Sequence, residues 1–436
     1  MPLPQLGPIA RSSVQTLAVY GLRLGVQLAL LLLLARWLGP AHYGEFAGVA
    51  ALAMGLGTLS GFGLSFVVLM ESAKSADTGA AVLARAVPAT LLSAALLLPL
   101  YLWLAVVVIG STAGLVSLSL IGLSELLLVP LLGLLSNRLH GLGYVARSQA
   151  LVLWPMALRL AGLVGCMTLA PTGNLGIYAL VHALGALAAL VLGGALAAAR
   201  AQLPQNLHWP EPAALRHGAR FAVMNLAAMS PGELDKALAL RLLGASGTGL
   251  YALASRGMAV VTLPVVAMLL AALPRLIRGL HQSDTAHRRL LRVVLSLSAL
   301  YGVSAAVLLH WAAPPLLEWL LGAAYVGIGA VVAKIAWIAP FMSLRIATGA
   351  TLFALGRPML RSAIEGGAVV LLVLLVLLLV PRFGLNGLIG AVLASEASMA
   401  AAGGLFLWRH VQQRPLPGTN PAVASGIDAG QAQRPG

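Results

Sequence analysis

The sequence predicts an all-α polytopic membrane protein of about twelve transmembrane helices in two pseudo-symmetric six-helix lobes. Three observations predict it. Of 436 residues, 60% are hydrophobic and only 9% are charged, with mean hydropathy +0.95; soluble domains carry about 25% charged residues. Apolar windows of about 20 residues, the length that crosses roughly 30 Å of hydrocarbon, recur along the whole chain. A ten-residue pattern near the start also returns in the middle. A packed soluble core cannot hide this much apolar surface, and the 48 glycines suit helices that approach closely in lipid.

The windows fall at 14–35, 46–70, 86–108, 114–135, 149–170 and 176–198, then at 221–243, 249–272, 293–313, 326–353, 362–380 and 387–407. The first continues to full spanning length and so reads as a signal anchor, with Arg23 inside it. The second holds Gly55-Leu56-Gly57 and Gly61, which imitate a dinucleotide motif; with no strand before them they read as helix packing. A short connection at 109–113 joins the third to the fourth, which carries Glu125. The fifth carries Arg159 and the single cysteine, Cys166, which reads as a small buried hydrophobe. His182, in the sixth, reads as interfacial.

A polar stretch from Arg200 to Arg220 with Pro204, Pro210 and Pro212 separates the halves, giving an N-lobe at 1–205 and a C-lobe at 206–410. In the seventh window Ser230-Pro231-Gly232 should break the helix, because Pro231 lacks a backbone donor and Gly232 permits bending. Arg256 lies in the eighth. His310, Trp311 and the two prolines after it read as an interface belt closing the ninth. Lys334 and Arg345 lie in the tenth, and a short turn at 381–386 joins the last two. The tail 411–436, rich in Pro, Gly and Ala, reads as disordered and cytoplasmic.

Loop cations set the orientation. Eighteen lie on one side of this topology, and only Arg36, Arg241 and Arg382 lie on the other. That split places both termini in the cytoplasm. It also accounts for most of the +15 net charge without a nucleic-acid partner.

The repeat pairs Leu38-Gly39-Pro40-Ala41-His42-Tyr43-Gly44-Glu45-Phe46-Ala47 with Leu243-Gly244-Ala245-Ser246-Gly247-Thr248-Gly249-Leu250-Tyr251-Ala252. A weaker echo pairs Leu142-Gly143 with Leu355-Gly356. The offset makes each copy six helices, an even number, so both copies enter the membrane from the same side.

The residues that carry the repeat also carry a resemblance. Leu34-Ala35-Arg36-Trp37-Leu38-Gly39-Pro40 with Tyr43-Gly44 and Gly61-Phe62-Gly63-Leu64, then Asp235-Lys236, Gly249 to Arg256, and Val380 to Gly387, resemble polysaccharide-biosynthesis flippases. These are O-antigen-type members of the multidrug, oligosaccharidyl-lipid and polysaccharide exporter superfamily. The resemblance implies a two-lobed flippase that moves undecaprenyl-pyrophosphate-linked oligosaccharide across the bacterial inner membrane by alternating access. It implies no cofactor and leaves H+ or Na+ coupling open. The expected partners are lipid-linked oligosaccharide, membrane lipids, and a polysaccharide polymerase with its chain-length regulator.

Charges inside the spans give the candidate site. Each Lys or Arg near a helix centre costs about 2.5 to 3.5 kcal/mol on insertion scales. Six of them facing lipid would exceed the roughly 5 to 15 kcal/mol of a typical fold. Arg23, Lys334 and Arg345, with Arg159 and Arg256, are therefore expected to line a cationic cavity, where guanidinium forks suit a pyrophosphate. Glu233, Asp235 and Lys236 beside the Pro231-Gly232 break, with Glu125, are the ion-coupling and hinge candidates. No Cys/His set has metal-ligand spacing and no nucleophilic triad can be proposed, so an enzyme is not expected. The rival readings are a cation-coupled multidrug exporter of the same superfamily and a membrane-embedded polysaccharide polymerase or ligase.

Overall fold

The computed structural model describes residues 8–413 apart from 171, 202, 205, 230 and 279–283. Among these residues nine helical stretches are long and apolar enough to cross a membrane, and the protein is a multi-pass membrane protein. Three of the nine are hairpins that reverse at a single glycine, so the nine contain the twelve expected spans.

The run Pro8–Gly57 leaves helical geometry at Gly39 (φ 71°, ψ 170°). Residues from Arg23 to Leu34 and from Tyr43 to Met54 then line one cavity, although a straight helix would hold Arg23 and Met54 about 46 Å apart. The run Pro231–Val261 reverses at Gly244 (φ 72°, ψ 177°), which brings the Tyr251 hydroxyl to 2.5 Å from Asp235 Oδ2. Pro358–Gln413 reverses at Gly384 (φ 56°, ψ −133°), and Ser395 Oγ donates to Ala368 O at 3.0 Å across that turn. These dihedrals are open to glycine and strained for any residue with a Cβ.

In chain order the helices are α1 (8–38), α2 (40–57, resuming as Leu64–Lys74), α3 (Ala76–Trp103), α4 (Leu115–Gly141), α5 (Val145–Leu169) and α6 (Leu175–Ala201). The second half gives α7 (Pro212–Met229 and 231–243), α8 (245–261, resuming as Leu263–Arg278), α9 (Asp284–Leu321), α10 (Ile328–Ala354), α11 (358–383) and α12 (385–413). Several run beyond their apolar windows. α3 starts at Ala76 because Ser75 caps it, its Oγ accepting from Thr78 N at 3.1 Å. Arg138, one of the eighteen loop cations of the sequence topology, is fully buried and ties α4 to the α2–α3 elbow by donating to Ser72 Oγ (3.1 Å) and Ala76 O (2.7 Å).

The repeat has a structural counterpart. Gly39 and Gly244, 205 positions apart, adopt nearly the same dihedrals at the two hairpin tips. Just beyond them the hairpins meet each other reciprocally. A Cβ on Gly44 would lie 1.8 Å from Ala245 O, and one on Gly249 would lie 2.0 Å from Pro40 O. Adding 205 to Pro40 and Gly44 gives Ala245 and Gly249, so the contact maps onto itself. The weaker echo holds too. After α4, Leu142, Gly143 and Tyr144 donate to the carbonyls of Arg138, His140 and Leu139; after α10, Leu355, Gly356 and Arg357 donate to those of Thr351, Phe353 and Leu352. These are the same three bonds at an offset of 213, with positive φ at both glycines (87° and 69°).

Both hairpins are also interrupted at matching depth, α2 after Gly57 and α8 at Thr262. In α2 the interruption is a 3₁₀ turn over Ser60–Gly63 with left-handed Gly61, Phe62 and Gly63. It is held by Ser93 Oγ, which accepts from Gly61 N at 2.8 Å, and by Ser60 Oγ, which donates to Leu126 O at 2.9 Å.

The expected break at Ser230-Pro231-Gly232 begins on residue 230, which lies outside the described residues; Pro231 and Gly232 are themselves helical. The part of α7 before it lies against the first half of the chain across the expected boundary at 205. Phe221 stacks on Phe66 with centroids 6.1 Å apart, Arg85 pairs with Glu211 at 3.0 Å, and a Cβ on Gly63 would lie 2.2 Å from Gly218 O. Of the tail 411–436, all beyond Gln413 lies outside the described residues.

Candidate functional site

Two adjoining spaces, of about 400 and 310 Å³, open between the first-half helices and the α7–α8 hairpin. Small-molecule sites run to about 300–1,000 Å³, so each space has the size of a ligand site. Met54 and Glu125 belong to the walls of both. The first space is polar on the α2 interruption, with Thr58, Ser60, Ser65 and Thr90, and takes Glu233 from α7. The second carries the cations Arg23 from α1, Arg159 from α5 and Arg256 from α8, with Glu125 as its one carboxylate.

Local structure explains how these side chains reach the cavity. Ser124–Leu128 forms a single π turn within α4, a departure from α geometry that often marks functional positions. It turns Ser124 and Glu125 together toward α5 and α6. Arg159 Nη2 donates to Glu125 Oε1 at 3.0 Å and to Ser124 Oγ at 2.8 Å, and its Nε donates to His182 O at 3.1 Å. His182 Nε2 lies 2.8 Å from the same Glu125 oxygen. All three residues are buried. Removing one partner of such a pair costs about 3–5 kcal/mol, because the other charge stays behind. Gly57 lets α2 close on this turn, since a Cβ there would lie 2.6 Å from Glu125 O.

Arg23 and Arg256 differ from Arg159. Neither makes a hydrogen bond or ion pair among the described residues, and Arg256 Nε is buried without a partner. Tyr43 OH, on the same cavity wall, and Glu233 Oε2, next door, are likewise buried and unpartnered. Unmet buried polar groups cost about 1–3 kcal/mol each, so the walls of the site carry unsatisfied hydrogen-bonding capacity.

The structure therefore brings Arg23, Arg159, Arg256 and Glu125 together, with Glu233 in the adjoining space, and separates the other candidates from them. Lys334 is a correction. It is exposed near the start of α10 and donates to Asn386 Oδ1 at 2.8 Å in the α11–α12 turn, because only about two helical turns separate it from that end of the bundle. Arg345 is a second correction. Its Nε donates to Glu396 Oε2 at 2.6 Å inside the second half, beside the Arg361–Glu365 pair at 2.9 Å. Asp235 is also spoken for: Tyr251 OH donates to it, as does Lys236 Nζ at 3.2 Å, while Lys236 also donates to Gly232 O. Gly232 itself has nothing near its Cα that a Cβ would meet.

The residue missed by sequence reasoning is His182. The sequence reads it as interfacial, yet it is 4% exposed and held on Glu125. Its available signal was the carboxylate in the fourth span, which needs a buried partner. His310 does sit in an aromatic belt, 5.3 Å from Trp311 and 6.0 Å from Trp337 between ring centroids.

Fold and cavity together define a two-lobed polytopic membrane protein with a polar, cation-rich interior. In fold it is similar to transporters of the MOP superfamily. A multidrug-resistance MATE family transporter of that superfamily, solved inward-facing, matches with TM-score 0.72 at 14% identity, over 89% of this chain and 94% of that one. The lipid II flippase MurJ in an inward closed conformation matches with TM-score 0.69 at 12% identity, over 93% and 88%. A MOP transporter from Pyrococcus furiosus, described as having a binding pocket of reversed polarity, matches with TM-score 0.63 at 13% identity, over 93% and 95%. No family model matches the sequence, and no curated protein matches it.

Proposed function

We propose that this protein is a flippase for undecaprenyl-pyrophosphate-linked oligosaccharide, a repeat unit of a surface polysaccharide, working by alternating access in the bacterial inner membrane with both termini cytoplasmic. The observation that carries the reading is the charge of the second space: three arginines to one carboxylate, with Arg23 and Arg256 unpaired. Guanidinium groups without protein partners in a water-limited cavity suit a pyrophosphate, which accepts paired hydrogen bonds. The reciprocal contact at Gly44 and Gly249 supports the rocking of two lobes, because it sets equivalent positions of the two halves against each other by a close backbone approach. Glu233, Asp235 and Lys236, just after Pro231 and Gly232, are the hinge in this scheme, and a polymerase and chain-length regulator are its partners.

The test is a proteoliposome assay with a fluorescent undecaprenyl-pyrophosphate oligosaccharide, reading accessibility of the label to an impermeant quencher. Wild-type protein is expected to equilibrate label between leaflets, and Arg23→Gln to slow this at least tenfold. Label that stays in its starting leaflet sinks the reading. One observation favours a second reading, a cation-coupled multidrug exporter: Glu233 presents a buried, unpartnered carboxylate oxygen beside the cavity. In the same liposomes that reading predicts proton- or sodium-dependent movement of a lipophilic cationic dye and no movement of the glycolipid.

A further inference from the structure

We infer that Glu125 is a proton site linked to headgroup binding: an anionic headgroup entering the cavity is accompanied by one proton taken up on Glu125 Oε2. The inference rests on the reading of the cavity as a pyrophosphate site and adds to it a regulation that the charge count alone does not give.

Geometry carries it. Glu125 Oε1 already accepts from Arg159 at 3.0 Å and meets His182 Nε2 at 2.8 Å. Glu125 Oε2 has no hydrogen-bond partner among the described residues, and it is not one of the sealed, unsatisfied atoms, so it opens on the space that Glu125 walls. His182 Nδ1, by contrast, is sealed and unpartnered. A proton arriving from the cavity therefore reaches the carboxylate oxygen and not the imidazole. A π turn, which leaves the α4 backbone out of regular register, is what holds the carboxylate at this place.

Every packed element contributes to its surroundings. Arg23 comes from α1, Tyr43 from α2, Tyr101 from α3, Arg159 from α5, Tyr178 and His182 from α6, and Arg256 from α8, with Glu233 of α7 in the adjoining space. Arginines keep their charge and tyrosines stay neutral through the physiological range. Glu125, His182 and Glu233 are left as the groups that can change charge.

With no headgroup present, Arg159 and the Glu125 carboxylate cancel and the site holds Arg23 and Arg256 as free cations. A pyrophosphate drawn to those two brings negative charge next to a carboxylate in a medium where charges are poorly screened. A proton on Oε2 removes that repulsion and leaves Arg159 free to face the ligand while Oε1 still accepts from it. One O–H bond forms on Oε2 and one bond to hydrogen breaks on the buffer acid in bulk solvent, whose proton reaches the carboxylate through cavity water. Each event favours the other by the same factor, as reciprocal linkage requires. Glu125 thus acts as an internal stand-in anion that keeps Arg159 compensated between substrates.

The experiment is titration calorimetry of the full chain in nanodiscs with inorganic pyrophosphate. It is run in two buffers of different ionisation heat, from about pH 6 to about pH 8, for wild type, Glu125→Gln, His182→Gln and Glu233→Gln. The ligand's own protonation is common to all four, so differences report the protein. Wild type is expected to take up close to one proton more per bound pyrophosphate than Glu125→Gln, and to gain affinity on acidification by up to about tenfold more per pH unit. His182→Gln and Glu233→Gln should keep the extra proton. Equal proton counts and equal slopes for wild type and Glu125→Gln overturn the inference while leaving the pyrophosphate site standing; loss of the extra proton only in His182→Gln or Glu233→Gln overturns its assignment to Glu125. No binding by wild type overturns the cavity reading itself. Should Glu125→Gln fail to fold, infrared difference spectra of wild type serve: a new carboxylic-acid C=O band on pyrophosphate binding is expected, and its absence overturns the inference.

Discussion

Replacing Gly44 with alanine sets a single methyl against the backbone of the opposite hairpin. That methyl would lie 1.8 Å from Ala245 O, 2.5 Å from Gly249 N and 2.9 Å from the Ala245 carbonyl carbon. Carbon–oxygen contacts settle at about 3.3–3.6 Å, so the hairpins must part by roughly 1.5 Å. The atoms struck are backbone, and no rotamer change relieves them. Overpacking costs about 1–3 kcal/mol, and only the state in which the hairpins touch incurs it. The equilibrium should therefore move about 5- to 150-fold away from that state. Gly249→Ala should do the same, its methyl lying 2.0 Å from Pro40 O. The double variant should add little, because both methyls act on one contact. Ala41→Cys and Ser246→Cys, exposed and equivalent positions on the two hairpins, carry spin labels in a Cys166→Ser background. Both single variants should shift the label-to-label distance distribution to longer values. Unchanged distributions in both would refute the claim that this close approach holds the two hairpin tips together.

Three further outcomes follow from the geometry. Arg23→Gln and Arg256→Gln should each weaken pyrophosphate binding about 10- to 150-fold, since charged hydrogen bonds contribute about 1.5–3 kcal/mol, whereas Lys334→Gln should leave calorimetric affinity unchanged. Glu45→Ala removes the acceptor for Ser111 Oγ (2.5 Å), Thr112 N (2.9 Å) and Ala113 N (3.2 Å); hydrogen exchange at the amides of Thr112 and Ala113 should accelerate while that of α4 does not. Gly143→Ala and Gly356→Ala place a side chain at φ 87° and 69°, and each should lower thermal stability by about 1–2 kcal/mol, a loss that chemical denaturation in detergent can measure.

The spans, their number and the duplication were legible because each is a one-dimensional property of the chain. Hydropathy counts apolar residues in a row, and a repeat needs only an offset. Gly39 and Gly244 even announced the hairpin tips. Azimuth was not legible. His182 in α6 and Lys334 in α10 both lie about two turns from the start of their helices, and depth alone cannot separate them; one faces the interior and meets Glu125, the other faces out toward Asn386. Ion pairing was hidden for the same reason. Arg345 and Glu396 are 51 positions apart in sequence, and nothing in either span's composition selects that partner over a cavity. The π turn that aims Glu125 leaves no mark in hydropathy, since it changes the register of a helix without changing what the helix is made of.

The contact at the hairpin tips also says something about how such a chain arises. Pro40 meets Gly249 and Ala245 meets Gly44, which is the pattern two identical six-helix subunits make about a two-fold axis. An interface of that kind is complete with two copies and offers no surface to a third. Fusion of the two copies into one polypeptide would keep the joint while releasing each side from its twin. Arginines 23 and 159, with Glu125, then settle in one half and Glu233 and Arg256 in the other, giving a molecule whose joint is symmetric and whose cavity is not.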